Sequence, residues 1–219
     1  MAKFQFKSQE TLSLRQKVAA DIRDAIIRGD IKAGEKLREQ EISDQMGISR
    51  GPVREAIRDL EAMGLVTCLP YKETFVAHVK REEIVDLLLP IRLQLELYSI
   101  KYHLERFTPD FFEGLQAITA RMDQAAAAGD LPVLVEEDIR FHEQIVLLHD
   151  DSSYARQIWS SIANRLRLHF MNNSRHITNL PQMAADHYTL IDALQSGNYD
   201  DIAALWERHI RDDDCLLYL

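Results

Sequence analysis

Ser49-Arg50-Gly51-Pro52-Val53-Arg54-Glu55-Ala56-Ile57-Arg58-Asp59-Leu60, residues 49–60, is the stretch on which the fold turns. Val53, Ala56, Ile57 and Leu60 recur at three- and four-residue steps, and Met63 continues them, so one side of a helix is apolar. Ser49 is suited to cap that helix, and Pro52 falls in its first turn, where no intrahelical N–H is needed. Gly64 ends it. Arg50 and Arg54 are four apart and share a face, which Arg58 extends. Two guanidiniums at the N-terminal end of an exposed helix suit phosphate contact, or bidentate reading of guanine in a major groove. Gly51 would let the helix start approach a DNA backbone closely. The plain alternative is a solvated arginine face.

Upstream, Leu14, Val18, Ile22, Ala25 and Ile26 mark a helix over about 11–28, stopped by Gly29, after a mobile lead at 1–10. Asp30–Glu35 reads as a turn, and a short helix runs from Arg38 to Met46, broken by Gly47-Ile48-Ser49. Downstream, Leu65–Leu69 and Thr74–Val79 read as two strands around Pro70-Tyr71-Lys72-Glu73. Helix, helix-turn-helix and hairpin in this order make a winged helix-turn-helix. Beyond residue 80 the pattern is helical throughout, near 81–106, 109–128, 131–149, 152–172, 181–196 and 199–217. Short loops between them imply an antiparallel bundle of about six helices. The expected fold is mostly α, with a DNA-binding winged helix-turn-helix over 1–79 and a helical bundle over 80–219.

Composition agrees. The chain has 219 residues, 46 % apolar and 28 % charged, which is globular, and only 8 Gly and 6 Pro, which argues against a sandwich or barrel. No uncharged apolar run approaches the roughly 20 residues of a membrane span. Residues 1–16 lack the apolar core of a signal peptide, and two distant cysteines, Cys68 and Cys215, are no disulfide framework. A cytoplasmic protein with no membrane partner is the expectation. The net charge of −9 is uneven: residues 1–79 carry +1 and residues 80–219 carry −10. A near-neutral head with clustered arginines can still meet phosphates.

A second constellation lies in the bundle. Asp138 and His142 are spaced i, i+4 and share a helix face. His187 precedes Leu190, Ile191 and Leu194, and His209 follows Leu205 and Trp206, so both lie near apolar stripes. Three histidines and an aspartate converging in a bundle suit one divalent transition metal per chain, Zn²⁺, Ni²⁺ or Mn²⁺. Taken singly, each reads as an ordinary hydrogen-bonded histidine. Asn164 sits mid-helix in an apolar stretch and either lines a pocket or faces water. Glu136-Glu137 reads as a solvated helix start. Neither His-Glu-x-x-His nor the Glu-x-x-His pair of di-iron bundles is present, so a metalloenzyme is a remote alternative and no catalytic residue is assigned.

Residues 17–79 resemble the DNA-binding domain of the GntR family of bacterial transcription regulators. The carrying residues are Ile26-Ile27-Arg28-Gly29, Ala33-Gly34-Glu35-Lys36-Leu37, Glu41-Ile42, Met46-Gly47-Ile48-Ser49-Arg50, Pro52-Val53-Arg54-Glu55-Ala56-Ile57, and Leu60 through Val66. The resemblance implies a homodimer on double-stranded operator DNA, contacted by Arg50 and Arg54, with Arg38 and Gln40 near the phosphates. Gln40 stands where several relatives carry a basic residue. Lys72 fits the family's basic wing tip, but Glu73 replaces the glycine that follows it. Residues 80–217 resemble the FCD ligand-binding domain of the FadR subfamily, in its six-helix VanR-like branch. Asp138, His142, His187 and His209 match the four metal-binding places of that domain. Arg92 and Glu96 match a recurring Arg-x-x-x-Glu feature, in which Arg92 is either a bidentate partner for an effector carboxylate or in an interhelical salt bridge with Glu96 or another acid. The implied function is a transcription regulator whose operator affinity is set by a small carboxylate bound over the metal. A regulator for which the ion itself is the signal is the alternative.

Overall fold

The computed structural model describes residues 13–69, 73–148, 154–172 and 179–211. The chain begins α1 (Leu14–Ile27), β1 (Lys36–Leu37), α2 (Glu39–Met46), α3 (Arg50–Ala62), β2 (Val66–Leu69), β3 (Glu73–Val76). A π-helical turn (Glu83–Leu88) then leads into α4 (Leu89–Tyr102), and a 3-10 turn (Leu104–Arg106) into α5 (Pro109–Ala128). The last four helices are α6 (Leu131–Val146), α7 (Tyr154–Asn172), α8 (Leu180–Ser196) and α9 (Tyr199–Ile210). The fold is mostly α, a winged helix-turn-helix joined to an all-helical bundle. Among the described residues no helix is long and apolar enough to cross a membrane.

In the head, α1 packs on α3 and buries Val18, Ile22 and Ile26 with Val53, Ile57 and Leu60. Ser13 caps α1 reciprocally: its hydroxyl accepts from the Gln16 N–H, and the Gln16 side chain accepts from the Ser13 N–H at 2.8 Å. The wing is a three-stranded antiparallel sheet of order β1-β3-β2. Strand β1 falls where no strand is expected. It forms because Val76 exchanges backbone hydrogen bonds with Gly34 and Glu35, while Leu37 turns into the core. Strand β3 stops at Val76, short of Val79, because the Ala77 N–H turns away to Leu65 O at 2.9 Å.

In the bundle, α5 and α6 pack against each other and against α7 and α8, while α9 closes on α4. Trp159, Trp206, Phe141, Met122 and Leu134 are fully buried at the centre. The single helix expected over 81–106 is divided in three. Pro90 lacks an N–H and its ring crowds the carbonyl four residues back, so the turn before it widens to the π form. Glu136 and Glu137 are not a solvated helix start. Asp130 caps α6, Glu137 is buried between Arg121 and Arg140, and Glu136 pairs with Arg167.

One side chain of α7 reaches the head. Arg165 donates from Nη1 to Gly64 O at 2.9 Å and pairs bidentately with Glu83. Gly64 follows α3 with φ +72°, and a Cβ there would lie 2.7 Å from Arg165 Cδ. Only glycine supplies both the left-handed turn and the room for the arginine stem.

Candidate functional site

The first candidate surface is the start of α3. Ser49 occupies the N-cap position with extended backbone, but its hydroxyl makes no capping bond and stays exposed. Arg38, Gln40, Arg50, Gly51 and Arg54 are exposed as well, and Glu39 of α2 draws Arg50 and Arg54 of α3 together. The arginines are not idle. Arg50 Nη2 lies 2.9 Å from Glu39 Oε2, and Arg54 Nη2 lies 3.1 Å from the same oxygen. The Arg54 guanidinium, with Arg50 beside it, holds the Glu39 carboxyl below its ordinary range despite partial burial. Arg38 pairs with Glu41, Gln40 bonds Asp44 at 2.8 Å, and Arg58 pairs with Glu55. Nothing lies within 4 Å of a Cβ placed on Gly51. Lys72 lies outside the described residues. Glu73 opens β3 opposite Leu69, rather than standing in the turn, and its carboxylate pairs with Lys36 of β1.

The second candidate is inside the bundle. Asp138 and His142 from α6, His187 from α8 and His209 from α9 each offer one ligand atom, all within 4.8 Å of one another. The first three side chains are fully buried and His209 less so. Against it, between α8 and α9, lies a cavity of about 170 Å³ lined by Asp186, Thr189, Leu190, Leu205 and Arg208.

Second partners settle which ring nitrogens point inward. His187 Nδ1 lies 2.8 Å from Met183 O, which only accepts, so Nδ1 carries a proton and Nε2 is the atom turned to the cluster. That Nε2 faces Asp138 Oδ1 at 3.2 Å. His142 Nδ1 lies 2.6 Å from Glu96 Oε2, and its Nε2 faces His209 Nε2 at 3.2 Å. Burial, reinforced by the Arg92 charge, lowers the His142 pKa and keeps that ring neutral. Burial and the neighbouring histidines push the His209 pKa well below its ordinary value. Burial opposes ionisation of Asp138, yet His187 and the Arg92 guanidinium hold its carboxyl well below the carboxylate range.

This donor set fits a divalent cation. His187 Nε2 and Asp138 Oδ2 are buried with no hydrogen-bond partner among the described residues, and a cation between these side chains would supply one. Around a four-coordinate zinc, ligand atoms are roughly 3.3 Å apart. Two of the separations match that spacing, and the widest exceeds it.

Arg92 is buried on α4. Its Nε lies 3.0 Å from Glu96 Oε1 within the same helix, and its second ion pair, with Asp138 of α6, runs between helices. Its Nη2 faces Asp138 Oδ2 at 3.9 Å, and neither atom has a hydrogen-bond partner among the described residues. Asn164 is not brought to this site. It lines a different cavity, of about 600 Å³, with Arg23 of α1, Arg28 just after it, and Val133, Glu136 and Arg167. On α7, position 164 shares a side with Arg167, which faces α6 and the head. Two contributors go unnoticed in the sequence: Glu96 as acceptor for His142, and Trp206, whose Nε1 donates to the same Oε2 at 2.6 Å. The Arg-x-x-x-Glu spacing marks Glu96 only as a partner for Arg92.

Residues 14–76 match the bacterial regulatory proteins of the gntR family, and residues 87–212 match the FCD domain. A probable D-xylose utilization operon transcriptional repressor of Paenarthrobacter nicotinovorans is 30 % identical over 193 residues, covering 84 % of this chain and 81 % of that protein. The HTH-type transcriptional regulator McbR of Escherichia coli is 24 % identical over 190 residues, covering 84 % of each. The solved structure of E. coli McbR/YncC superposes with a TM-score of 0.79 at 21 % identity, over 95 % of this chain and 98 % of that one. A putative GntR regulator from Rhodococcus sp. RHA1 gives 0.78 at 24 % identity, over 93 % and 96 %. These relatives are transcriptional regulators rather than enzymes, and the chain belongs to the GntR family of bacterial transcriptional regulators, in the FadR-type group that carries an FCD domain.

Proposed function

We propose that the chain is a cytoplasmic one-component regulator that binds a pseudo-palindromic operator as a homodimer, with residues 1–79 reading DNA and 80–219 sensing. Each α3 enters the major groove of one half-site, where Arg50 and Arg54 exchange the Glu39 carboxylate for base edges and phosphates. Ser49, Gly51, Arg38 and Gln40, all exposed, would flank that contact, with Lys72 as a further DNA contact.

Asp138, His142, His187 and His209 would hold one divalent ion, with Zn²⁺, Ni²⁺ and Mn²⁺ matching three imidazoles and a carboxylate. The carrying observation is the convergence of these donors inside the bundle of a DNA-binding family member. Bound, the ion supplies positive charge and coordination for an oxygen ligand. The protein's own charges specify that ligand further. Arg92 is offset by Glu96 and Asp138, leaving one buried negative charge, which a divalent ion turns into one positive charge. A monocarboxylate restores neutrality, and the unpaired Nη2 of Arg92 is the donor that would receive it. Such an effector acts on the operator only insofar as it binds the two arrangements of the heads with different affinity.

One observation favours the ion alone as signal: all four ligands come from protein, the pattern of closed sites, and the adjoining cavity is only about 170 Å³. Operator binding measured by anisotropy separates the readings. Protein loaded with Zn²⁺, Ni²⁺ or Mn²⁺ is titrated with operator, with and without small carboxylates. Operator affinity that moves with a carboxylate only when metal is bound supports the effector reading. Affinity that follows free metal without any carboxylate selects the alternative. Affinity indifferent to both overturns the sensory assignment and leaves the DNA reading standing.

A further inference from the structure

We propose that Glu96, which is not itself a ligand, is the positioning residue that fixes the ring orientation and tautomer of His142 at the metal centre. The proposal rests on the metal reading above. Glu96 is fully buried in α4, a helix that offers no atom to the cluster. Three donors from three helices converge on it. Arg92 Nε of α4 lies 3.0 Å from Oε1, while His142 Nδ1 of α6 and Trp206 Nε1 of α9 each lie 2.6 Å from Oε2.

The logic is one of donors and acceptors. Guanidinium and indole N–H groups only donate, so both Glu96 oxygens are already acceptors before His142 is considered. The one compatible arrangement puts the His142 proton on Nδ1 and its lone pair on Nε2, toward His209 and Asp138. His187 is fixed in the same way by a backbone carbonyl, which every sequence provides. His142 has only a side chain to fix it, so its orientation depends on one residue. The indole bond also pins Glu96: with Trp206 on Oε2 and Arg92 on Oε1, the carboxylate cannot rotate away from the imidazole. Carboxylates hydrogen-bonded behind ligating histidines typically govern 10- to 100-fold in metal affinity.

The test is Glu96→Gln, nearly isosteric, read in two ways. In metal-free wild type, ¹⁵N–¹H spectra of the histidines are expected to show His142 as the Nδ1–H tautomer. In Glu96→Gln a mixture with Nε2–H is expected, because the amide brings its own N–H groups into the cluster of donors. Zn²⁺ affinity by chelator competition is expected to fall about 10- to 100-fold, while His187 keeps its tautomer. Wild-type affinity together with an unchanged His142 tautomer in Glu96→Gln would overturn the proposal. If wild type takes up no metal, the metal reading fails, and the tautomer comparison still decides whether Glu96 sets His142. If the variant does not fold, the wild-type spectrum decides, since an Nε2–H tautomer at His142 would overturn the assignment.

Discussion

At the residue scale, the useful question for each polar side chain is what it would be left facing if its partner went. Arg54 faces Glu39 on one side and solvent on the other. Arg54→Ala is expected to weaken operator binding and to reduce the slope of log affinity against log salt by about 1, since one fewer counterion is released. An unchanged slope in salt-titrated anisotropy would remove that helix from the DNA. His187→Ala is expected to lower metal content well below one ion per chain by elemental analysis, with operator binding by the metal-free head preserved. The buried rings also set a pH dependence. His142 and His209 have folded-state pKa values below the ordinary 6.5, so below that pH the unfolded chain binds protons that the folded chain does not. Metal-free protein is therefore expected to lose stability as pH falls from about 6.5 toward 5, seen as a lower urea midpoint. Of the four clustered donors, i, i+4 spacing links only Asp138 and His142, and it was the resemblance to the FCD domain that joined His187 and His209 to them. Asn164 was not legible, since a polar residue within an apolar stretch does not say which neighbour its helix side meets. Glu96 was half legible: its spacing to Arg92 is local, but its bonds to His142 and Trp206 cross 46 and 110 positions.

At the element scale, helices with caps and periodic stripes could be read to within a few residues, as α3, α5 and α8 show. The exceptions have physical causes. Strand β1 is two residues long and exists only because β3 offers it a free edge, which no local pattern announces. The π turn before α4 answers to Pro90, a residue compatible with a helix start as well as with a widened turn. The contact between α7 and the end of α3 could not be read at all, because Arg165 and Gly64 are 101 positions apart. That contact gives a sharp test. Gly64→Ala meets both the left-handed backbone and the Arg165 stem, and is expected to cost at least about 1 kcal/mol in urea unfolding. Arg165→Ala is also expected to destabilise, because it leaves Glu83 and the Gly64 carbonyl without their donor. Combined, the two should cost less than their sum, because the clash is present only when both side chains are. Strict additivity would mean that the arginine does not rest on the glycine in solution.

At the scale of the whole molecule, the candidate metal site joins α6, α8 and α9, and Glu96 adds α4. An ion that binds only this arrangement stabilises it by mass action, about 2.7 kcal/mol at a hundredfold excess over its Kd. Chelator treatment is expected to lower the thermal midpoint of the bundle, and added Zn²⁺ to restore it, in calorimetry at fixed protein concentration. The two halves differ in how their working parts are spread along the chain. Every element of the head lies within residues 14–76, whereas the metal donors are strung from 138 to 209. A nascent chain leaves the ribosome from its N-terminus, and domains close in that order. The head can therefore finish folding while two of the four donors are still being synthesised. Any chain interrupted between His142 and His209 would carry a finished head joined to a bundle that lacks one or two of the four donors.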